Sequence, residues 1–169
     1  MKVYHGSTNI VKSPNLSILN YRTDFGKGFY TTVDFEQAKR WSKIKRERVE
    51  RFQNSDKVHQ YVNVYEYILD DSLKVLSFDG STKEWLEFVY KNRESNELIH
   101  KYDIVIGPVA NDNLYQVLVN YENGVYDVEE TIKRLKTYVL SNQISFHTQE
   151  SLKCLKYIET IEIGVDKNG

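Results

Sequence analysis

Along this chain, short stretches in which apolar and polar residues alternate are separated by stretches with a three-to-four-residue apolar spacing. Met1 to His5 alternates and predicts a short strand. His59 to Leu69 is the clearest strand, with Val62 and Val64 interleaved with Tyr61, Asn63 and Tyr65, and with β-branched and aromatic residues dominating. Leu73 to Phe78 reads as another. Tyr102 to Ile106 is apolar except for Asp103, which is expected to be a buried, hydrogen-bonded group at a sheet edge. The turn signal Gly26-Lys27-Gly28 precedes a strand at Phe29-Tyr30-Thr31. Gln143 to Phe146 and Cys154 to Ile163 read as closing strands.

The helical spacing starts at Asp34, an N-cap residue, and runs to about Phe52, with Phe35, Ala38, Trp41, Ile44 and Val49 on its apolar side. Ser81 or Thr82 caps a second helix through Arg93, with Trp85, Phe88 and Val89 on one face. Asn111 to Asn120 and Val128 to Leu140 read as two more. Ser7 to Asp24, with Pro14 and several Asn and Ser, reads as loop. Together these elements predict one α+β domain over residues 1–169, its sheet mostly antiparallel and flanked by helices.

Composition narrows the class without naming a function. The chain of 169 residues is 40% hydrophobic and 13% aromatic, with thirteen tyrosines, one methionine and two prolines, which suits a strand-rich core. A net charge of −1 sets up no global field toward nucleic acid or membrane. Cys154 has no partner for an intrachain disulfide. The first fifteen residues lack an apolar h-region, and no run of eighteen apolar residues occurs. The expectation is a cytoplasmic protein without a membrane span. Lys39 to Arg51 carries seven Lys or Arg against two Glu and reads as a solvated helix face, or as a surface for RNA or an acidic partner. The histidines show no ligand spacing, so no metal is expected.

Three segments put polar groups at strand ends: Tyr4-His5-Gly6-Ser7, Asp24-Phe25-Gly26-Lys27-Gly28-Phe29-Tyr30-Thr31-Thr32 and Asn142-Gln143-Ile144-Ser145-Phe146. Gly6 has no Cβ and lets a ligand approach the backbone closely. A Tyr or Trp face attracts a cationic ring by roughly 0.5–2 kcal/mol. His5, Ser7 and Gln143 offer hydrogen bonds to sugar hydroxyls. The glycines do not spell a Walker A loop.

At these residues the sequence resembles the H-Y-E class of the ADP-ribosyltransferase superfamily, the class of diphtheria toxin and the poly(ADP-ribose) polymerases. His5-Gly6-Ser7 matches the class's His-Gly-Ser, and Phe25 to Tyr30 is similar to the polymerases' Phe-Gly-Lys-Gly-Ile-Tyr. Trp41, eleven residues after Tyr30, falls where they place a second stacking tyrosine. The chain also resembles a group of small bacterial proteins of the superfamily found in toxin–antitoxin-like gene pairs. The resemblance implies a split, mostly antiparallel sheet and NAD⁺ as substrate. By the same likeness His5 bonds the adenosine ribose, Gly6 holds the nicotinamide carboxamide and Ser7 supports that contact. Tyr30 and Trp41 sandwich nicotinamide, Arg22 reaches the pyrophosphate, and Phe25 and Gly28 belong to the cofactor-binding motif. Gln143 stands at the position of the catalytic glutamate. Glutamine can bond the ribose 2′-OH but cannot act as a general base, which points to one transfer per acceptor. The implied protein is a mono-ADP-ribosyltransferase acting on a macromolecular acceptor in its own cell and held in check by an antitoxin. Alternatives are a module that binds NAD⁺ or ADP-ribose without transfer, an NAD⁺ glycohydrolase, and an RNA 2′-phosphotransferase.

Overall fold

The computed structural model of the chain describes residues 1–16, 23–54, 57–110, 112–135 and 141–164. Among these residues seven strands and five helices follow one another: β1 (Lys2–Ser7), β2 (Phe29–Thr32), α1 (Phe35–Gln53), β3 (Tyr61–Tyr67), β4 (Val75–Ser77), α2 (Lys83–Arg93), β5 (Ile104–Pro108), α3 (Asp112–Glu122), α4 (Val128–Leu135), β6 (Asn142–Phe146), α5 (Gln149–Leu152) and β7 (Leu155–Glu162). The α+β class and the mostly antiparallel sheet are as the patterning predicts. Asp34 accepts from the Glu36 N–H and starts α1, and Thr82 accepts from the Trp85 N–H and starts α2. Asn54 closes α1 in the left-handed region at φ 50°. The short α5 carries a reciprocal Thr148–Ser151 capping box, at a length too small for any helical period to register.

The strands form one hydrogen-bonded sheet in the order β4-β5-β6-β2-β1-β3-β7, antiparallel except for β4 beside β5. It is strongly joined everywhere but at its middle. β1 pairs with β3 along its whole length, from Lys2↔Glu66 to Ser7↔Tyr61, and β2 pairs with β6 from Phe29↔Phe146 to Thr32↔Gln143. Between β1 and β2 the only register point is Tyr4↔Thr32. Two residues further on the register would oppose Gly6 to Tyr30, but no ladder pairing is made there. Backbone groups at such a parting need other partners. The Tyr30 carbonyl takes the His5 imidazole Nδ1 at 2.7 Å, and the Gly6 carbonyl takes the Lys45 ammonium at 2.7 Å. Side chains thus stitch a seam that the ladder leaves open.

Each sheet face has its own core. On one, Val3, Phe29, Tyr65, Ile144 and Phe146 pack with Leu152, Cys154 and Leu155. On the other, Phe25 and Val105 pack against Trp85, Leu86 and Val89 of α2, Leu118 of α3 and Leu135 of α4. The Trp85 indole N–H donates to the Pro108 carbonyl at 3.1 Å, fixing α2 over the end of β5. Alternation along β1 sends His5 to the first face, stacked on Phe29 with ring centroids 4.1 Å apart, and turns Tyr4 and Gly6 toward α1. Ile44 lies off the apolar side of α1 at 45% exposed; the inward positions are Ala38 and Ser42. Asp103 precedes β5, which β4 covers at the sheet edge; it is hydrogen-bonded as expected, accepting from the Lys74 N–H and the Thr148 hydroxyl, but only partly buried.

The contact of α1 with β1 depends on Gly6. A Cβ there would lie 2.1 Å from the Ala38 carbonyl oxygen and 2.8 Å from the Ser42 nitrogen, both backbone atoms that cannot rotate away. Gly6→Ala is therefore expected to destabilise the fold by about 3 kcal/mol or more, read from the midpoint of urea denaturation. Gly164→Ala, with nothing near its added methyl, is the matched control. A Gly6→Ala midpoint equal to wild type would show that α1 does not seat on β1 as described.

Candidate functional site

The turn from Thr23 to Gly28 is the most densely tethered segment near the seam. The Asp24 carboxylate is buried and receives four donors. Arg93 reaches Oδ1 with Nε and Nη2, each at 2.6 Å, while the Ala110 N–H and the Gln143 amide reach Oδ2, each at 2.8 Å. Arg93 also donates to the Ala110 carbonyl. The Phe25 N–H donates to the Tyr30 phenol oxygen at 3.0 Å, and the phenol donates to the Gly26 carbonyl at 2.5 Å. His100 Nε2 meets the Phe25 carbonyl at 2.7 Å, and His147 Nδ1 meets the Lys27 carbonyl at 2.7 Å. Buried polar groups are satisfied here by converging side chains from β2, β6, α2 and the loop before β5.

These bonds settle the proton positions. Facing a carbonyl, His5 Nδ1 must carry the hydrogen, which leaves Nε2 as an acceptor with no partner among the described residues. Burial lowers the His5 pKa to about 3, the nearby Lys45 charge adds to that, and the bond to Tyr30 opposes it, so the ring is neutral. His147 likewise donates from Nδ1 and accepts from the Ser145 hydroxyl on Nε2 at 2.7 Å. Burial is again the main reason its pKa falls to about 4. Burial raises the Tyr30 phenol above its ordinary range and keeps it protonated.

The residues marked in the sequence meet this frame in different ways. His5, Gly6 and Tyr30 flank the seam. Trp41 is half-buried on α1, and Tyr30 makes its edge-on ring contact with His147, centroids 6.3 Å apart. Ser7 caps its own turn by accepting from the Asn9 N–H. Arg22 lies outside the described residues. Two roles need correction. Phe25 is fully buried against Phe78 and Phe88, so its ring has no surface to offer a cofactor. The missing Cβ of Gly28 makes room for His147, whose Nδ1 would be 2.7 Å from a methyl there, rather than for a ligand. Gly6 is likewise small because α1 presses on it. Gln143 is 2% exposed, and its amide nitrogen is committed to Asp24 and to the Pro108 carbonyl.

Sequence reasoning missed Asp24, Arg93, His147 and Lys45 as members of this site. Asp24 opens the marked motif, and Lys45 continues the inward spacing of Ala38 and Ser42, so both had a signal. A cleft of about 410 Å³ adjoins the turn, lined by Leu16, Lys27, Asn96, Glu97, Leu98 and His147. None of His5, Tyr30 or Gln143 lines it, so the convergent polar groups of the seam, not this cleft, mark the candidate site. Among the described residues no group of three His, Cys, Asp or Glu side chains converges on a point, and no helix is long and apolar enough to cross a membrane.

Two tests follow from this network. Both atoms opposite the Gln143 nitrogen are acceptors, so the residue must present an NH₂ group. Gln143→Glu sets a carboxylate against Asp24 and is expected to cost on the order of 3 kcal/mol at neutral pH. The introduced carboxyl has a raised folded-state pKa, so the cost grows as pH rises above the ordinary carboxyl value of about 4.3 and vanishes below it. Adding Asp24→Asn should recover part of the loss, and strictly additive costs would refute the pairing. Separately, His147 and His5 are neutral in the fold, with pKa values depressed from 6.5 to about 4 and about 3. Their contribution to stability is whole above pH 6.5 and is lost as pH falls through those values. Denaturation midpoints taken from pH 7 to 4 should fall with a slope that His147→Gln reduces by about one proton.

A family model described as "Protein of unknown function (DUF3990)" matches residues 1–157. None of the curated proteins matches the chain. The match takes in the seam, the tethered turn and every strand up to the first residues of β7, and the chain belongs to the DUF3990 family.

Proposed function

We propose that this protein uses NAD⁺ as an ADP-ribosyl donor and transfers a single ADP-ribose to a macromolecular acceptor, releasing nicotinamide. The observation that carries the reading is the seam. There His5 holds a neutral, oriented imidazole, its acceptor nitrogen without a partner among the described residues, beside the Gly6 carbonyl and the Tyr30 strand. His5 Nε2 suits the O–H of a ribose. The Gly6 carbonyl suits the N–H of a carboxamide. Tyr30 and Trp41 supply aromatic surface for the cationic ring. With its nitrogen held by Asp24, Gln143 has only its oxygen left to offer, an acceptor for a ribose hydroxyl and a partial negative charge toward a developing oxocarbenium ion. No general base stands at that position, so the acceptor must bring its own nucleophilicity. Action within the cell on an intracellular target, restrained by a cognate inhibitor protein, belongs to the same proposal.

The burial of Gln143 favours a second reading, a module that holds NAD⁺ or ADP-ribose without cleaving the glycosidic bond. One experiment separates the two. The purified protein and a His5→Ala variant, checked for folding, are incubated with NAD⁺ labelled on the adenylate in cell lysate. Transfer reads as labelled protein or nucleic acid that falls at least about tenfold in the variant. Released nicotinamide without a labelled macromolecule identifies water as acceptor. Binding without release identifies the module. Neither binding nor release by wild type sinks the whole reading.

A further inference from the structure

The Lys45 ammonium stands out among the charges of α1. It is half-buried, and among the described residues its one hydrogen bond goes to the Gly6 carbonyl at 2.7 Å and none of the ion pairs includes it. Its neighbours on the helix are otherwise engaged or solvated. Arg40 pairs with Asp34, Arg46 bonds Gln60, and Arg48 is exposed and adds repulsion. A lysine withdrawn from water without a carboxylate is held at a cost, and a carbonyl dipole offsets only part of it. Among the described residues two of its three N–H donors have no acceptor. Its charge also helps to keep the His5 ring neutral, and its bond to the Gly6 carbonyl holds it beside the seam.

We propose that Lys45 is the counter-charge for the diphosphate of the ligand, and that it gates the carboxamide position. This rests on the NAD⁺ reading and adds to it an anion subsite on α1. Without ligand, Lys45 closes the seam by occupying the Gly6 carbonyl. A diphosphate entering beside α1 draws the ammonium onto its oxygens, where charge-assisted hydrogen bonds replace a single neutral acceptor. The Gly6 carbonyl is then free for the N–H of the carboxamide. The two ends of a dinucleotide are in this way coupled through one side chain: the anionic centre unlocks the site of the neutral end.

The gate makes the two halves of the ligand respond oppositely to the same substitution. Binding of ADP and of nicotinamide, each alone, is measured by calorimetry at low salt for wild type, Lys45→Met and Lys45→Gln. Lys45→Met keeps the apolar stem and removes the charge; Lys45→Gln keeps a donor for the Gly6 carbonyl, and carries the test if the methionine variant does not fold. The expected result is ADP affinity lowered about tenfold or more in both variants. Nicotinamide affinity is expected to rise in Lys45→Met and to stay near wild type in Lys45→Gln. Unchanged ADP affinity, or equal weakening toward both ligands, overturns the inference. Wild type binding nicotinamide but not ADP overturns it and leaves the NAD⁺ reading standing. Lys45-dependent ADP binding with no affinity for nicotinamide or NAD⁺ removes the NAD⁺ reading and keeps the diphosphate site. No binding of either probe by wild type removes both.

Discussion

The site region depends on one buried negative charge. Asp24 gathers Arg93 from the end of α2, the Ala110 N–H beyond β5 and Gln143 from β6 onto a single carboxylate. Taking such a group out of water is favourable only when every oxygen finds donors, and here both do. The consequence is mechanical. The turn before β2 is bound to three separate elements, and the strand that follows it is held where β1 diverges. Tyr30 strengthens the same hold from inside the turn, its phenol bridging Phe25 and Gly26. Residues that attract attention as ligand-binding groups thus double as struts, and the rigidity they give is what an oriented site needs.

The seam is the complement of that rigidity. Strand pairing ties each half of the sheet within itself; across the seam the backbone offers a single register point, to which the His5–Tyr30 carbonyl bond and the shared core add, while Lys45 holds the Gly6 carbonyl from α1. Both bonds use groups that could serve a ligand instead. An arrangement in which the closing contacts and the binding contacts are the same atoms makes occupancy and closure compete. Affinity for any ligand in the seam is then set partly by what the side chains lose on releasing their carbonyls.

The period-two stretches and the capped helices made most elements legible in sequence, because burial on a strand or helix face leaves a periodic trace. Asp34 and Thr82 begin helices as their side chains require. The four-residue α5 left no such trace. For the site, His5, Gly6, Tyr30 and Gln143 were legible as marked positions, while what they touch was not. Nothing in the local sequence shows that Gly6 is small for a helix backbone, that Gly28 is small for His147, or that Gln143 faces an acid 119 residues away in sequence. Lys45 was hidden by its company, one cation among seven in a stretch that reads as solvated. These are properties of contacts between distant segments, and they appear only when the segments are brought together.

The bond between Asp24 and Gln143 also couples the two positions. The amide at 143 is neither a weakened copy of an acid nor an independent choice, since it is the group that a carboxylate at 24 permits beside it. An acid introduced at 143 opposes the acid at 24, and removing the acid at 24 loosens the grip on Arg93 and on the turn. Positions 24, 93 and 143, scattered over three parts of the chain, therefore act as one electrostatic unit, and a change of charge at any one of them alters what the other two meet.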